Sequence, residues 1–356
     1  MGSAFSHQFI RKWKCLTILT IVVDLAKNVF AVHGVGETGK AELLRPAVPR
    51  DKLHELIAAL PPCVIGMEAC SGAHHWARLF QASGHTVRLI APKFVTPYRM
   101  TGKRGKNDAA DAAAICEAIQ RPHMRFVPIK DMEQQSRLMV HRARQGFVEQ
   151  RTATLNPVPG SRGLLSEFGV VLPLKAATVR RRACECLEEL PGYANTVIGD
   201  LLSEVTRLDE RVAQYDGYIL AMARADARAK QLMQLSGVGP TTATCLLAMI
   251  GNGHDFDCGR QFAAWLGLTP GQYSSGGKTR LGRITKAGDA YLRSLLVLGA
   301  KALLNAAKNK TDSLSRWAVA LAERRGYWRA VVAIAAKNAR MAWAVLRRGD
   351  AFALPA

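Results

Sequence analysis

The sequence of 356 residues predicts an α/β domain with a mixed sheet, followed by a long helical region. Between residues 16 and 120, β-branched runs alternate with amphipathic helical patterns, whereas from about residue 125 the pattern is helical. Hydrophobic residues make up 49% of the chain, which is ample for buried cores. We therefore expect an α/β domain over 1–125, a helical and coiled-coil middle over 126–230, and a helical C-terminal domain over 231–356.

Two adjoining strands open the α/β domain, and strand–helix units follow them. The runs "LTILTIVVD" and "NVFAVHGV" predict strands, "KAELLRPAV" predicts a weaker third strand, and "RDKLHELIAAL" predicts a helix. Two further strands, "CVIGME" and "TVRLIA", flank the helix "HHWARLFQASG". Adjoining strands pair antiparallel and strand–helix units pair parallel, so the sheet should be mixed.

The sequence favours a cytosolic protein over a secreted or membrane-bound one. The start "RKWKCLTILTIVVDLAK" places a basic cluster before nine uncharged residues, but Asp24 and Lys27 follow at once without a cleavage site, which favours a buried strand. The eight cysteines are scattered, and only Cys184 and Cys186 are close together, as in a reduced protein. No stretch has the 18 or more apolar residues of a membrane span.

The helical middle contains a regular apolar repeat with alternating spacings of three and four residues, typical of a coiled-coil seam. Its members are Ile198, Leu201, Val205, Leu208, Val212, Tyr215, Ile219 and Met222. We expect this seam to pair between chains and to make the protein a homo-oligomer, with an intramolecular helix hairpin as the alternative. Before it, "NPVPGSRG" at 156–163 must end any continuous helix.

A net charge of +21 indicates a polyanionic partner such as nucleic acid. Residues 271–356 hold 16 Lys and Arg against 4 Asp and Glu, so the binding surface should lie mainly there. The loop "SSGGK" and its neighbours form a flexible basic segment suited to phosphate. The candidate basic contacts are Lys103, Arg104, Lys106, Lys278, Arg280, Arg283 and Lys286.

Two further segments allow either a nucleic-acid role or a structural one. The turn in "LSGVGPTTATCLLAMIG" resembles a helix-hairpin-helix element, in which amides near Gly237 and Gly239 would bind backbone phosphate, but a tight helix–helix turn explains it too. Aromatic residues among C-terminal arginines suit stacking on single-stranded RNA or DNA, although core packing is the commoner role. These aromatic residues are Trp317, Tyr327, Trp328 and Trp343.

Four acids form the candidate active site. Asp24 ends the first strand and Glu68 ends "CVIGME", and the ends of parallel strands meet at one edge of a sheet. Asp108 and Asp111 lie on one stripe of the helix "NDAADAAAICEAI" with the isoleucines that follow, so this face should point inward. Taken singly, Asp108 could be a helix cap, Glu68 a solvated loop residue and Asp24 a turn residue. An inward pair of carboxylates, however, calls for a cation. Clusters of four carboxylates hold two Mg²⁺ or Mn²⁺ ions for phosphoryl transfer.

The motifs "VVDLAKNVFAVHGV", "GMEACSGAHHWA" and "GKNDAADAAAICEA" resemble the RuvC-like DEDD domain of the bridge-RNA-guided insertion-sequence transposases. The resemblance implies a ribonuclease-H-like fold in which Asp24, Glu68, Asp108 and Asp111 are the catalytic metal ligands. "FAAWLGLTPGQYSSGGKTRLGRITKAGDAYLRSLL" is similar to the serine-bearing domain of that family. The nucleophilic serine then corresponds to Ser275, with Ser274 as the less favoured candidate.

This resemblance implies a bacterial, cytoplasmic and nucleoid-associated recombinase. Its partners would be donor DNA, target DNA and a non-coding bridge RNA, and it would act as a dimer or tetramer with Mg²⁺ or Mn²⁺ and no membrane. The family's helix normally continues through the region that "PVPGS" interrupts here. Two alternatives remain: a junction resolvase that uses the carboxylates and water, and a catalytically silent nucleic-acid-binding protein.

Overall fold

The computed structural model of the protein describes residues 18–36, 41–99, 108–155, 165–171 and 176–349. The chain divides into two compact units, Met1–Asp131 and Met132–Ala356. The helical middle and the C-terminal region, which the sequence predicted as separate domains, therefore lie in one unit. The boundary of the α/β unit is six residues later than predicted.

The described part of the first unit contains six strands: β1 (Ile18–Asp24), β2 (Val29–Gly36), β3 (Ala41–Pro49), β4 (Val64–Glu68), β5 (Thr86–Ile90) and β6 (Phe126–Val127). They form one sheet in the order β3-β2-β1-β4-β5-β6. β1, β4 and β5 are parallel, whereas β2, β3 and β6 run antiparallel to their neighbours. The predicted mixed sheet is confirmed, and β6 is an additional edge strand that is too short to leave a sequence pattern.

Helices cover both faces of strand β1. The helices described in this unit are α1 (Arg50–Ala58), α2 (Ala73–Ala82), α3 (Pro92–Val95) and α4 (Asp108–Ile119). Ile21 and Val23 belong to one core cluster with residues of α1 and α2, while Val22 belongs to another with residues of α4. Since successive side chains of a strand point to opposite faces, β1 is buried on both, which explains its continuous apolar run.

Helix α4 approaches the sheet closely at Gly66 of β4. A Cβ atom at Gly66 would lie 2.6 Å from Ile119 Cδ1, so glycine permits this packing distance. Asp111, Ile115 and Ile119 are all buried. The inward stripe that the sequence predicted for this helix is therefore confirmed for these three residues.

The second unit is helical apart from one β-hairpin in its described residues. Its helices are α5 (Met132–Leu155), α6 (Ala176–Glu185), α7 (Gly192–Ala225), α8 (Ala227–Leu232), α9 (Pro240–Ile250), α10 (Gly259–Trp265), α11 (Ala290–Ala307), α12 (Ser313–Arg325) and α13 (Tyr327–Arg348). The hairpin consists of β7 (Pro270–Gln272) and β8 (Leu281–Ile284). The largest core cluster of the chain is formed mainly by residues of α8 to α13.

Helices α5 and α7 run antiparallel and are joined by ion pairs. Three arginines of α5 contact three aspartates of α7 and its C-terminal cap: Arg137 with Asp226 at 2.9 Å, Arg144 with Asp216 at 2.5 Å and Arg151 with Asp209 at 2.9 Å. The aspartate numbers fall as the arginine numbers rise, which identifies the antiparallel direction. The pairs are only partly exposed, so solvent screens them less than it screens surface pairs.

The antiparallel packing of α5 against α7 within one chain corrects the expectation that the apolar seam of α7 pairs between chains. Leu208 and Val212, in the middle of the seam, are 0% and 7% exposed within a single chain. The intramolecular alternative is the observed one. The sequence of α5 conceals it, because Arg, Gln and Glu interrupt the apolar residues of "MEQQSRLMVHRARQGFVEQRTATL" and leave no continuous apolar stripe, although Phe147 packs against Tyr215 of the seam with ring centres 5.3 Å apart. The segment "NPVPGSRG" lies outside the described residues, and α5 ends at Leu155, just before it.

One helix of the described residues, α11, is long and apolar enough to cross a membrane by length and composition alone. It carries Arg293 and Lys301, and six of its residues are buried in the core of the second unit. A core helix passes the same test of length and composition. The packing of α11 therefore accounts for part of its apolar character, while Leu298 of the same helix is exposed.

Candidate active site

Asp24 and Glu68 lie side by side at one edge of the sheet. β1 and β4 are adjacent and parallel, with Val23 opposite Met67, so the residues that end the two strands are neighbours. Both side chains are half-buried. The expected convergence of strand-end acids at this edge follows directly from the parallel register.

Asp111 lies in the first turn of α4 and is 7% exposed. The backbone places Asp108 at the first position of the same helix. The Asp108 side chain lies outside the described part of the structure, so its predicted convergence with the other acids stays a prediction. Arg99 links Asp111 to the strand-end acids: its Nε is 2.9 Å from Asp111 Oδ1, and its Nη2 is 3.2 Å from Glu68 Oε1.

The contact between Arg99 and Asp111 is an ion pair rather than an aligned hydrogen bond. The Nε–H of Arg99 is buried and has no hydrogen-bond acceptor in line with it among the described residues, although Asp111 Oδ1 is close. The contact to Glu68 is an aligned hydrogen bond. Sequence reasoning missed Arg99, because "PYRM" has neither a periodic pattern nor a motif that would mark this arginine.

Cys70 connects Asp24 and Glu68 electrostatically. Burial raises the pKa of the Cys70 thiol, and the nearby carboxylates of Asp24 and Glu68 raise it further. Both carboxylates therefore lie close to one thiol, on the exposed turn that follows β4. This edge of the sheet, with Asp24, Glu68, Asp111 and Arg99, is called the carboxylate edge below.

The donor chemistry of the carboxylate edge fits a divalent metal ion. Carboxylate oxygens are the ligands that Mg²⁺ and Mn²⁺ prefer, and the Arg99 guanidinium already places a positive charge between Glu68 and Asp111. Among the residues whose surroundings are described, no three His, Cys, Asp or Glu side chains are grouped closely enough to hold a metal. The guanidinium is therefore the positive charge that contacts both Glu68 and Asp111 in this structure.

The segment predicted as a flexible basic loop is the turn of the β7–β8 hairpin. Lys278 N donates a hydrogen bond of 3.0 Å to Ser275 O, and Tyr273 N donates one of 2.9 Å to Arg280 O. Gly276 and Gly277 have φ values of 54° and 75°. Positive φ at both central residues is characteristic of a type I′ turn, which favours glycine and matches the twist of paired strands. The glycine pair therefore closes a defined turn rather than adding flexibility.

The two serines of this turn have different surroundings. The Ser274 hydroxyl accepts hydrogen bonds from Gln272 Nε2 at 2.8 Å and from Arg280 N at 3.1 Å, which hold it within the hairpin. The Ser275 side chain is exposed, and its hydroxyl forms no hydrogen bond with any residue that the structure describes. Ser275 thus presents an accessible hydroxyl at the hairpin tip.

Four exposed cations follow Ser275 within eleven residues of sequence: Lys278, Arg280, Arg283 and Lys286. Within the described part of the chain, none of them lies within 4.0 Å of a carboxylate oxygen. Lys286 also has a φ of 53°, a strained value for a residue with a side chain. Lys286 N donates to Gly267 O at 3.1 Å, which helps to hold this conformation. The candidates Lys103, Arg104 and Lys106 lie outside the described residues.

The segment that resembled a helix-hairpin-helix element consists of α8, a turn and α9, as either alternative predicts, and packing explains one of its two glycines. Gly237 has a φ of 85°, and a Cβ atom there would lie 2.6 Å from Gly299 O of α11. Asn338 Nδ2 also donates to Ser236 O at 2.9 Å. Gly239 is exposed at the N-terminal cap of α9. Gly239 is therefore the better candidate for a phosphate contact, which stays a prediction.

The C-terminal aromatic residues divide between the core and the surface. Trp343 donates from Nε1 to Gly253 O at 3.0 Å and packs against the core. Trp317 is half-buried, with the Lys337 ammonium 4.4 Å from its ring centre. Tyr327 and Trp328 are 38% and 63% exposed. Trp328 is therefore accessible for stacking on a base, whereas Trp343 has a structural role in the core.

Comparison with known proteins identifies both halves of the chain. Residues 229–316 match the family described as "Transposase IS116/IS110/IS902 family", and residues 21–161 match a transposase domain of the IS110 DEDD type. A probable family 20 transposase of Pseudomonas aeruginosa is 44% identical over 94% of this chain and 98% of its own length.

Two transposases named after their insertion sequences are similar over nearly the whole chain as well. The transposase for insertion sequence element IS1111A of Coxiella burnetii is 40% identical over 93% of this chain and 90% of its own length. The transposase for insertion sequence element IS1328 of Yersinia enterocolitica is 36% identical over 94% of this chain and 98% of its own length.

An α/β unit with acids at one edge of its sheet, together with a helical unit bearing basic side chains, fits enzymes that act on nucleic acid, and these relatives define the class as DNA transposases. The chain belongs to the IS116/IS110/IS902 family of insertion-sequence transposases. The mixed sheet is consistent with a DEDD-type, ribonuclease-H-like domain, and a domain of this type indicates the use of a divalent metal.

Proposed function

We propose that this transposase exchanges DNA strands through a covalent serine–DNA phosphoester formed by Ser275. The observation that carries the proposal is the Ser275 hydroxyl, which is exposed at the tip of a defined turn and has no hydrogen-bond partner among the described residues. The neighbouring Ser274 is engaged within the hairpin. A nucleophile needs an accessible oxygen, and the turn fixes the backbone at Ser275 while leaving its hydroxyl accessible.

The chemistry of such a step balances without an external energy source. The Ser275 oxygen forms a bond to phosphorus, the P–O bond of the strand breaks, the serine proton is lost, and the released strand oxygen becomes a hydroxyl. The phosphoester keeps the energy of the broken bond, so a hydroxyl of another strand can later displace the serine and reseal the DNA. Lys278 and Arg280 flank Ser275 in the hairpin and would offset the charge that develops on the phosphate.

The carboxylate edge would supply the metal site of the same reaction. Asp24, Glu68, Asp108 and Asp111 are the residues that would hold divalent metal, and the bound metal would neutralise phosphate charge and favour the ionised form of an attacking hydroxyl. Glu68 and Asp111 would have to exchange their contacts to Arg99 for metal contacts. Released from both, the Arg99 guanidinium would be available to a DNA phosphate.

The nucleic-acid partners of the proposal are donor DNA, target DNA and a bridge RNA that pairs with both. The net charge of +21 and the exposed cations of the hairpin support binding of several phosphates. A homo-oligomer, from dimer to tetramer, in which the serine of one subunit meets the carboxylates of another, belongs to the same proposal. Its interface would not be the seam around Leu208, which is buried within one chain. Sequencing the RNA that co-purifies with the protein tests the bridge-RNA part.

The decisive experiment uses a suicide DNA substrate that is nicked near the cleavage point, so that the strand needed for resealing diffuses away. In Mg²⁺ or Mn²⁺ the protein should be trapped as a phosphoserine ester within the peptide "QYSSGGK". Ser275→Ala should lose the adduct and still bind DNA, whereas Ser274→Ala, the matched control, should keep it. Metal-dependent cutting without an adduct, unchanged in Ser275→Ala, would identify the junction-resolvase alternative. A complete absence of metal-dependent cutting would favour the silent nucleic-acid-binding protein.

A further inference from the structure

A groove of about 990 Å³ lies beside the serine hairpin in the second unit. Its lining includes Leu281 and Ile284 of the hairpin strand β8 and Trp328 and Val332 of α13. Helices α10 and α12 complete the lining, the latter with Trp317. Sites for small organic groups typically measure about 300–1,000 Å³, so a nucleotide fits this volume.

The groove combines an exposed apolar surface with positive charge. Leu281 and Trp328, which both line the groove, are 65% and 63% exposed, and such exposure of large apolar side chains is typical of a binding surface. Its charged lining residues are all arginines, namely Arg260, Arg283, Arg329 and Arg340, and no described Asp or Glu lines it.

Further cations lie next to the two tryptophans. The Lys301 ammonium is 5.3 Å from the Trp328 ring centre, and the Lys337 ammonium is 4.4 Å from that of Trp317. An aromatic and aliphatic lining with four guanidinium groups, and with two ammonium groups next to its tryptophans, is complementary to a ligand that is both anionic and flat. A polynucleotide strand carries its phosphates and its bases in that combination.

We propose that the groove binds an unpaired nucleotide of a nucleic-acid strand, with the base against Trp328 and Leu281 and the flanking phosphates on the arginines. The groove shares strand β8 with the turn that carries Ser275, so a strand bound there passes the serine hairpin. The inference rests on the proposed function only in taking DNA or RNA as the ligand, because a recombinase must handle strands that have left the duplex. Base stacking on an aromatic ring tolerates any base and requires that it be unpaired.

The test measures binding without catalysis, in divalent-free buffer and with the full-length Ser275→Ala protein. Single-stranded oligonucleotides carrying one 2-aminopurine are titrated, and the same oligonucleotides annealed to their complement serve as the paired reference. Stacking on Trp328 should quench the fluorescence of the unpaired 2-aminopurine and leave that of the duplex unchanged. Trp328→Ala should weaken binding of the single strand about tenfold or more and abolish the quenching.

Matched variants separate the groove from general electrostatics. Arg329→Gln, in the groove, should weaken single-strand binding more than Arg181→Gln, which removes an exposed arginine of α6. Tyr193→Ala removes an aromatic residue that is 91% exposed on α7 and should have no effect on quenching. Because Trp328 is largely exposed, Trp328→Ala should keep the parental circular dichroism spectrum.

Two results would overturn the inference. Equal quenching in Trp328→Ala and in the parent would place the base elsewhere. A lower molecular mass of Trp328→Ala in light scattering, with unchanged oligonucleotide binding, would show that a second copy of the chain covers the groove. Failure of the serine proposal is a separate outcome, since no strand is cleaved in this assay and the adduct experiment alone decides it.

Discussion

Arg99 Nε lies 2.9 Å from Asp111 Oδ1 at the carboxylate edge, and the same guanidinium bonds to Glu68. The exposed fractions of the three side chains are 28% for Arg99, 9% for Asp111 and 21% for Glu68. A carboxylate this deeply buried is costly without a positive partner. Arg99 therefore stabilises Glu68 and Asp111 as carboxylates, and under the proposed function it would compete with a metal ion for the same oxygens.

The first prediction is that Arg99→Gln increases the affinity for Mn²⁺ while it destabilises the metal-free protein. Without the guanidinium, Glu68 and Asp111 repel each other until a metal binds. The melting temperature in EDTA should fall, by the equivalent of about 1–3 kcal/mol for a partly buried pair, and added Mn²⁺ should raise it more than in the parent. Calorimetric titration of Mn²⁺ measures the affinity directly.

A surface arginine provides the control for this change. Arg121→Gln removes an arginine that pairs with Glu117 on the exposed side of α4, and it should alter neither melting nor Mn²⁺ affinity appreciably. If Arg99→Gln and the parent bound Mn²⁺ with equal affinity, the guanidinium would not occupy the metal position.

The second prediction is that Asp111→Asn abolishes strand exchange and leaves RNA binding nearly intact. The change removes a charged oxygen ligand from a buried position but leaves the basic surface of the second unit unaltered. Formation of the serine adduct and filter binding of RNA measure the two properties. Asp108→Asn should behave alike, whereas Glu117→Gln, on the exposed side of the same helix, should be active. Full recombination by Asp111→Asn in Mg²⁺ would exclude the four-carboxylate site.

The third prediction separates folding from assembly on helix α7. Leu208→Ala should lower the free energy of unfolding by about 2–5 kcal/mol, because it opens a cavity between α7 and α5. Leu220→Ala, on the same helix but 36% exposed, should cost less than about 1 kcal/mol. Urea unfolding gives both values. A change of oligomeric mass in Leu208→Ala without a loss of stability would return the seam to an intermolecular role.

The fourth prediction concerns the acid stability of the second unit. His141 is fully buried, and its ring nitrogens contact Thr244 Oγ1 at 3.1 Å and the Tyr291 hydroxyl at 3.3 Å. Burial, followed by the charges of Arg144 and Arg142, lowers the pKa of His141 to about 4 from the ordinary 6.5. The unfolded chain therefore binds a proton at a higher pH than the folded one does.

Above pH 6.5 His141 is neutral in both the folded and the unfolded chain, so the free energy of unfolding does not depend on its protonation. As the pH falls from 6.5 through about 4, the free energy of unfolding should decrease by about 3 kcal/mol. Urea unfolding at several pH values measures it. His141→Asn should flatten this part of the profile, while His123→Asn, which changes an exposed histidine, should leave the profile unaltered. A parallel pH dependence in His141→Asn and the parent would assign the acid sensitivity to other groups.

The sequence by itself determined strands β1 to β5 and helices α1, α2 and α4 of the first unit, and it placed Asp24 and Glu68 at strand ends. Runs such as "IVVD" report burial directly, because a strand covered on both faces must be apolar throughout. An acid that ends such a strand, as Asp24 and Glu68 do, must then lie at the edge of the sheet. The buried stripe of α4 that includes Asp111 was also predictable, because the local periodicity of apolar residues indicates which face of a helix is buried. The family followed from these motifs as well.

The tertiary structure alone decided which partners these elements have. The apolar repeat of α7 shows that one face of the helix is buried. It does not indicate whether α5 or a second chain covers that face, because many different apolar surfaces can pack against such a stripe. Arg99 meets Glu68 and Asp111 only because the chain path brings residues 31 and 12 positions apart to one point. The sequence does not distinguish Ser274 from Ser275. In the folded hairpin they differ, because hydrogen bonds engage the Ser274 hydroxyl and leave the Ser275 hydroxyl exposed at the tip.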